Sequence, residues 1–332
     1  MPLLSGSPSL TRFNVPLQTE DLDFDAQAFR EIQPGSERRE SIGFIPFEPG
    51  ADYRIGHDRF AFRVRIDRLA PDPTALRERL RGLLATEMEE TGFDSVSARR
   101  RKELRNLAQE ELLADARPTS KIIEAVIDGT TLHVASTANS VLGKITNLVR
   151  KLGFAADFKT PWIDRGDEDI ESEIMELHEP GQSLHGSRFL QGLLGDPDLV
   201  IEPVEGYAKL QTERARIVLS GEILRDLHEY VREGCELLSA KLVAGQVQFR
   251  LDALPFRISG VKLGKPAMGH WTERLDERLE QIQAVWELLD RKYDESKRTS
   301  RPRGPILRAD EPAGSPVETH AEPDGAESSE AM

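Results

Sequence analysis

The chain has 332 residues, of which 38% are hydrophobic and 31% are charged, so it can form a buried core beneath a heavily solvated surface. Its net charge of −14 argues against nucleic acid as a partner unless the basic residues gather on one surface. No apolar run reaches the ~18 residues of a membrane span, and the first residues lack the pattern of a secretory signal. Cys235 is the single cysteine, which excludes an intrachain disulfide. We therefore expect a cytoplasmic protein with no membrane partner.

The first half of the chain predicts an α+β domain over residues 1–155. Apolar and polar side chains alternate through residues 60–67, as in a half-buried strand. Asp128-Gly129 lies between two apolar-rich runs and predicts a β-hairpin, because both residues tolerate positive φ. The predicted elements are a strand over 60–67, helices over 74–92 and 97–114, a hairpin over 122–136 and a helix over 138–153.

The second half predicts another α+β domain over residues 214–295. Residues 156–213 show no clear periodicity and are interpreted as an irregular middle segment. Beyond residue 296, proline, glutamate and serine dominate, which predicts a disordered acidic tail over 296–332. The predicted elements of the second domain are a strand near 217, a helix over 223–231, strands over 237–243, 247–251 and 256–263, and a helix over 272–293.

The last predicted helix carries the sharpest periodicity of the chain. Its apolar residues recur at alternating spacings of four and three, the pattern of an a/d seam. Such a seam packs either on its own domain or against a helix of a second subunit. As a hypothesis we assign it to a dimer interface, formed by Leu275, Leu279, Ile282 and Trp286.

Clustered cations are the strongest functional signal, although each cluster is also typical of an ordinary solvated surface. No aromatic residue is interleaved with them, so we expect contacts to phosphates and no preference for sequence. The predicted DNA-binding residues form two clusters, Arg99, Arg100, Arg101, Lys102 and Arg105 in one helix, and Lys144, Arg150 and Lys151 in another. A third cluster of cations runs from Arg291 to Arg303.

Motifs of catalysis are missing from the sequence. It contains no phosphate-binding glycine loop and no G-x-S-x-G nucleophile elbow, so we expect no enzyme activity and no cofactor. The histidines form no helical pair that would hold zinc. The acidic run from Asp164 to Glu173, with Glu176 and His178, could bind Mg²⁺, although a solvated loop is the simpler interpretation. Two alternatives stay open, a protein-interaction scaffold and a metal-dependent nucleic-acid enzyme.

Several segments occur in an order that resembles the RdgC family of bacterial recombination-associated DNA-binding proteins. They are Gly43-Phe44-Ile45-Pro46, the hairpin Ile122–Ser136, the following segment Thr137–Gly153 and the run Gly221–Leu263. The resemblance spans residues 10–295 and consists of order and spacing more than of invariant motifs.

The resemblance implies a ring-shaped homodimer of α+β subunits that encircles double-stranded DNA. It further implies association with the nucleoid and modulation of homologous recombination, by limiting the access of the RecA recombinase to DNA. Arg117 stands where the family usually carries an aromatic residue that supports contact between subunits, so the resemblance places Arg117 at the dimer interface. That cation and the acidic net charge are the two departures from the family pattern.

Overall fold

A computed structural model describes residues 3–17, 22–33, 38–114, 116–170, 175–202, 205–266 and 268–300. Within these ranges the chain forms two antiparallel sheets and seven α-helices, which confirms the α+β class. None of the helices described is long and apolar enough to cross a membrane. The helices are α1 (Pro73–Thr91), α2 (Ala98–Ala114), α3 (Asn139–Arg150), α4 (Pro161–Arg165), α5 (Leu184–Gly192), α6 (Leu227–Arg232) and α7 (Trp271–Ser300).

The first sheet has the strand order β2-β3-β4-β5-β1-β6. Its longest pairing joins β3 to β4, and the predicted Asp128-Gly129 turn, with φ +58° at the glycine, leads from β4 into β5. Helix α3 buries one apolar face in a core shared with the aromatic side chains of this sheet. The strands are β1 (Thr11–Asn14), β2 (Glu40–Ile45), β3 (Arg59–Arg68), β4 (Thr119–Asp128), β5 (Thr131–Val134) and β6 (Asp157–Phe158).

The second sheet has the order β12-β11-β10-β8-β9, and β7 also pairs with β10. The turn between β10 and β11 passes through Gly245 at φ +58°, between the strands predicted over 237–243 and 247–251. Leu10, just before β1, exchanges backbone hydrogen bonds with Ile258 of β12, which ties the two sheets together. The strands are β7 (Val200–Ile201), β8 (Tyr207–Gln211), β9 (Arg216–Ser220), β10 (Glu236–Ala244), β11 (Val247–Asp252) and β12 (Arg257–Lys262).

Helices α1 and α2 form a helical hairpin, residues 73–114, that connects β3 to β4 of the first sheet. The N-cap of α1 is Asp72, two residues before the predicted helix start at Thr74, and its carboxylate accepts from the backbone N–H groups of Thr74 and Ala75 at 2.8 Å. Gly92 ends α1 in the left-handed conformation, as predicted. None of the residues of α1 is buried, and the element that α1 packs against most is the facing helix α2.

Helix α7 packs into the core of its own chain. Leu275, Leu279, Ile282 and Trp286 are all buried, in one cluster that also contains residues of both sheets. Side chains buried in this way have no surface left for a second subunit, so their assignment to a dimer interface is wrong. The scaffold alternative, in which this seam and the acidic surface would bind a protein, loses the seam for the same reason.

The predicted domain boundaries also need correction. Residues 156–213 are not irregular, since they contain β6 of the first sheet, β7 and β8 of the second sheet, and two helices. Helix α7 continues to Ser300, past the predicted start of the tail at residue 296. Residues 301–332, the remainder of the predicted tail, lie outside the described residues.

Stability should depend on pH through His133 of β5, which is 3% exposed. Burial, with the nearby charge of Arg12, lowers its pKa to about 4. The unfolded chain binds the proton below about pH 6.5, so stability is lost as the pH falls from about 6.5 to 4. We expect urea unfolding to show a loss of about 2 kcal/mol between pH 6.5 and 4.5 that His133→Gln does not show. An equal loss in both proteins would contradict this assignment.

Candidate nucleic-acid interface

The five cations predicted on one helix all lie on α2, within the helical hairpin, and all are exposed. Two of them are paired with carboxylates. Arg100 forms a bidentate contact with the carboxylate of Glu87 in α1, at 2.8 and 2.9 Å. The Nε of Arg99 lies 3.3 Å from the carboxylate of Glu103. Hydrogen bonding to Arg100 lowers the pKa of Glu87. Arg100 therefore links α2 to α1, Arg99 pairs within α2, and both offer less charge to a ligand.

The remaining three cations of α2 are Arg101, Lys102 and Arg105. None of them forms an ion pair with another described residue. Residues at positions i, i+1 and i+4 fall within an arc of about 100° on a helix, so the three share one side of α2. A single strand of phosphates could contact this side, which makes it the strongest candidate surface in the described chain.

Helix α1 adds two exposed cations that the sequence patterns did not single out, Arg77 and Arg81. Arg79, between them, is held by Glu111 of α2 at 2.6 Å. Because Arg79 pairs with Glu111 and Glu87 pairs with Arg100, the antiparallel arrangement places Arg77 and Arg81 opposite the C-terminal half of α2. In the sequence, these two cations and Arg79 recur at a regular spacing of two residues, in a helix with a weak apolar face. That spacing was the signal that could have identified them.

The second predicted group is divided by the structure. Lys144 forms an ion pair with Glu40 of β2, whereas Arg150 and Lys151 are exposed at the C-terminal end of α3. No hydrogen bond or ion pair between described residues links this group to the helical hairpin. The two exposed cations also complement the helix dipole, so their role in binding DNA stays a prediction.

The third cluster is mostly neutralised within the chain. Lys292 is buried and contacts Asp196 at 3.0 Å and Asp198 at 2.7 Å, and these hydrogen bonds raise its pKa. Lys297 lies 3.2 Å from Asp167. These contacts fix α7 to neighbouring loops. Arg301 and Arg303 lie outside the described residues.

Arg117 lies in the turn between α2 and β4 and is exposed. It forms no ion pair with any residue that the structure describes. Two large apolar side chains that are close to Arg117 in the sequence, Leu107 on α2 and Ile122 on β4, are also exposed. An accessible Arg117 is compatible with the interface that the resemblance implies, and that assignment stays a prediction.

Two carboxylates of the acidic run that could bind Mg²⁺ accept hydrogen bonds from other side chains. Asp164 accepts from the side-chain amide of Asn14 at 2.6 Å, and Asp167 accepts from the hydroxyl of Tyr293 at 2.7 Å. Glu171 and Glu173 lie outside the described residues. Among the residues that are described, no three His, Cys, Asp or Glu side chains are arranged to hold a metal ion.

Comparisons with protein-family models and with curated proteins found no match for this chain. They therefore neither support nor contradict the resemblance to the RdgC family. The functional interpretation depends on the geometry of the helical hairpin and on the order of the segments that carry the resemblance.

Proposed function

We propose that this protein binds duplex DNA without sequence preference, through the exposed cations of the helical hairpin. The observation that carries the proposal is the group Arg101, Lys102 and Arg105, which is exposed on one side of α2 and unpaired with any described carboxylate. Exposed cations on one side of a helix can approach the phosphates of a duplex, and phosphate contacts supply affinity that does not depend on sequence.

The acidic net charge limits this binding without excluding it. At physiological ionic strength, charges further apart than about 8 Å are largely screened, so the local balance decides the affinity. On the helical hairpin, Glu87, Glu103 and Glu111 are each paired with an arginine. Exposed carboxylates such as Glu89 and Glu110 remain, so we expect modest affinity that falls steeply as salt rises.

The wider function in this proposal is modulation of homologous recombination. A homodimer bound along duplex DNA would occupy DNA that the RecA recombinase uses and would limit strand exchange. This step is supported by the resemblance to the RdgC family alone. Inhibition of strand exchange by the purified protein, at concentrations that coat the duplex, is the expected result.

Fluorescence anisotropy with two duplexes of unrelated sequence tests the proposal directly. We expect similar affinities for both, because the candidate surface offers cations and no set of base-reading side chains. Each neutralised phosphate contributes about −0.9 to the slope of log K against log salt, so three contacts give a slope of about −3. A flat salt response, or a strong preference for one duplex, would contradict the proposed mode of binding.

A further inference from the structure

A cavity of about 550 Å³ lies where the start of α3 meets the second sheet. Its wall includes residues of all five strands from β8 to β12, together with the N-terminal end of α3. A volume in this range is typical of a pocket for a small molecule. The cavity is separate from the helical hairpin, and no role proposed above uses it.

The floor of this cavity contains a buried arginine whose hydrogen-bonding capacity is mostly unused. Arg257 is 3% exposed, and its Nη1 donates to the backbone carbonyl of Thr137 at 2.9 Å. Its Nε and Nη2 have no partner among the described residues. Buried donors are almost always satisfied in proteins, and a buried charge is especially costly without a hydrogen-bonded counter-ion. Burial lowers the pKa of Arg257, and the carboxylates of Glu179 and Asp252 offset this only in part.

Two further features of the cavity favour an anion. Ser239 of β10 is 2% exposed, and its hydroxyl has no partner among the described residues. The N-terminal end of α3, a 12-residue helix, lies in the wall and is not capped by a side chain. Free N–H groups and the helix dipole at such an end attract negative charge.

We propose that this cavity binds the terminal phosphate of a small, nucleotide-sized ligand. The phosphate would accept hydrogen bonds from Arg257 and Ser239, beside the N-terminal end of α3. A phosphate offers enough acceptor oxygens for all of these donors, whereas a carboxylate has only two oxygens. Lys209 and Arg216 also line the cavity and add positive charge.

Carboxylates in the same wall indicate what the rest of the ligand carries. Glu176, Glu179 and Asp252 line the cavity; Arg257, Lys209 and Arg216 offset their repulsion of one phosphate, but a second anionic group would be repelled. Hydroxyl and amino groups can donate hydrogen bonds to carboxylates, so a nucleoside attached to the phosphate fits this wall. The inner phosphates of duplex DNA do not fit, because the guanidinium is buried out of reach of a rigid double helix.

Calorimetric titration of the full chain with inorganic phosphate, adenosine monophosphate and adenosine tests this proposal. We expect both phosphate-bearing probes to bind, the nucleotide more tightly, and adenosine not to bind. Arg257→Gln should weaken phosphate binding by about tenfold or more, since it removes a charge-assisted contact. Lys262→Gln is the matched control, because it removes one exposed cation at the far end of the same strand, and it should bind as the wild type does.

A second variant keeps the test decisive if Arg257→Gln fails to fold. Ser239→Ala removes one hydroxyl without changing the shape of the core, and should weaken binding of phosphate by about threefold. The proposal is overturned if neither phosphate-bearing probe binds the wild type, or if the folded variants bind as tightly as the wild type. It is also overturned if adenosine monophosphate displaces duplex DNA, which would make the cavity part of the DNA surface. Loss of DNA binding with phosphate binding intact would count against the proposed function alone.

Discussion

Replacing Leu279 with alanine should lower the free energy of unfolding by about 3–4 kcal/mol. Leu279 lies in the first third of α7 and is 1% exposed, in a cluster that holds side chains of both sheets. The shorter side chain loses the transfer free energy of the removed carbons and leaves a cavity that a tightly packed core fills only in part. Urea unfolding followed by circular dichroism measures the change, provided that the transition is two-state.

Leu107→Ala is the matched control for this substitution. Leu107 lies on α2 and is 45% exposed, so its truncation should cost less than about 1 kcal/mol. If Leu279 instead formed a contact between subunits, its truncation would shift the protein from dimer to monomer and leave the subunit stable. Sedimentation measured beside the unfolding curve separates these results, and a change in subunit number with little loss of stability would restore the interface hypothesis.

Features that depend on neighbours in the chain were predictable from the sequence. The hairpin at Asp128-Gly129 and the helix end at Gly92 follow from the backbone conformations that these residues allow. The alternation in residues 60–67 predicted β3, because successive side chains of a strand point to opposite faces. These signals operate over a few residues, and tertiary packing did not override them.

Features that depend on distant partners were not predictable in the same way. The period of Leu275 and Leu279 identifies an apolar face of α7, but periodicity does not show what covers that face. In the middle segment, β6 and β7 have two residues each, too few to show an alternating pattern. They become strands only because β1 and β10 are present to pair with them.

The candidate sites show the same difference between features that are local in the sequence and features that need distant partners. The density of cations on α2 was visible in the sequence, whereas the pairing of Arg100 with Glu87 required the antiparallel arrangement of two helices. The cavity around Arg257 gave no signal, because Thr137 and Ser239 approach it from distant parts of the chain. Charge can be counted from a sequence, but only the fold shows which charges remain without a partner.

Replacing Arg101, Lys102 and Arg105 together with glutamine should weaken duplex DNA binding by more than about 100-fold near 0.1 M salt and make the salt slope shallower by about 3. The reason is that these residues are the unpaired cations of α2. Glutamine has a helix propensity close to that of arginine and lysine, and the buried Leu104 and Ala108 of α2 are unchanged. The helical hairpin should therefore stay folded, which circular dichroism would show. Anisotropy titrations at several salt concentrations give both the affinity and the slope.

A control variant with the same loss of charge distinguishes a local surface from a general effect of net charge. Arg225→Gln, Arg232→Gln and Lys262→Gln remove three exposed cations from the region of the second sheet, away from the helical hairpin. Because charges beyond about one Debye length of the bound phosphates are screened, this variant should bind DNA nearly as well as the wild type. If both triple variants bind DNA equally weakly, the net charge of the protein and not a local surface determines the affinity. Unaltered binding in the α2 variant would place the DNA surface elsewhere, with Arg150 and Lys151 as the next residues to replace.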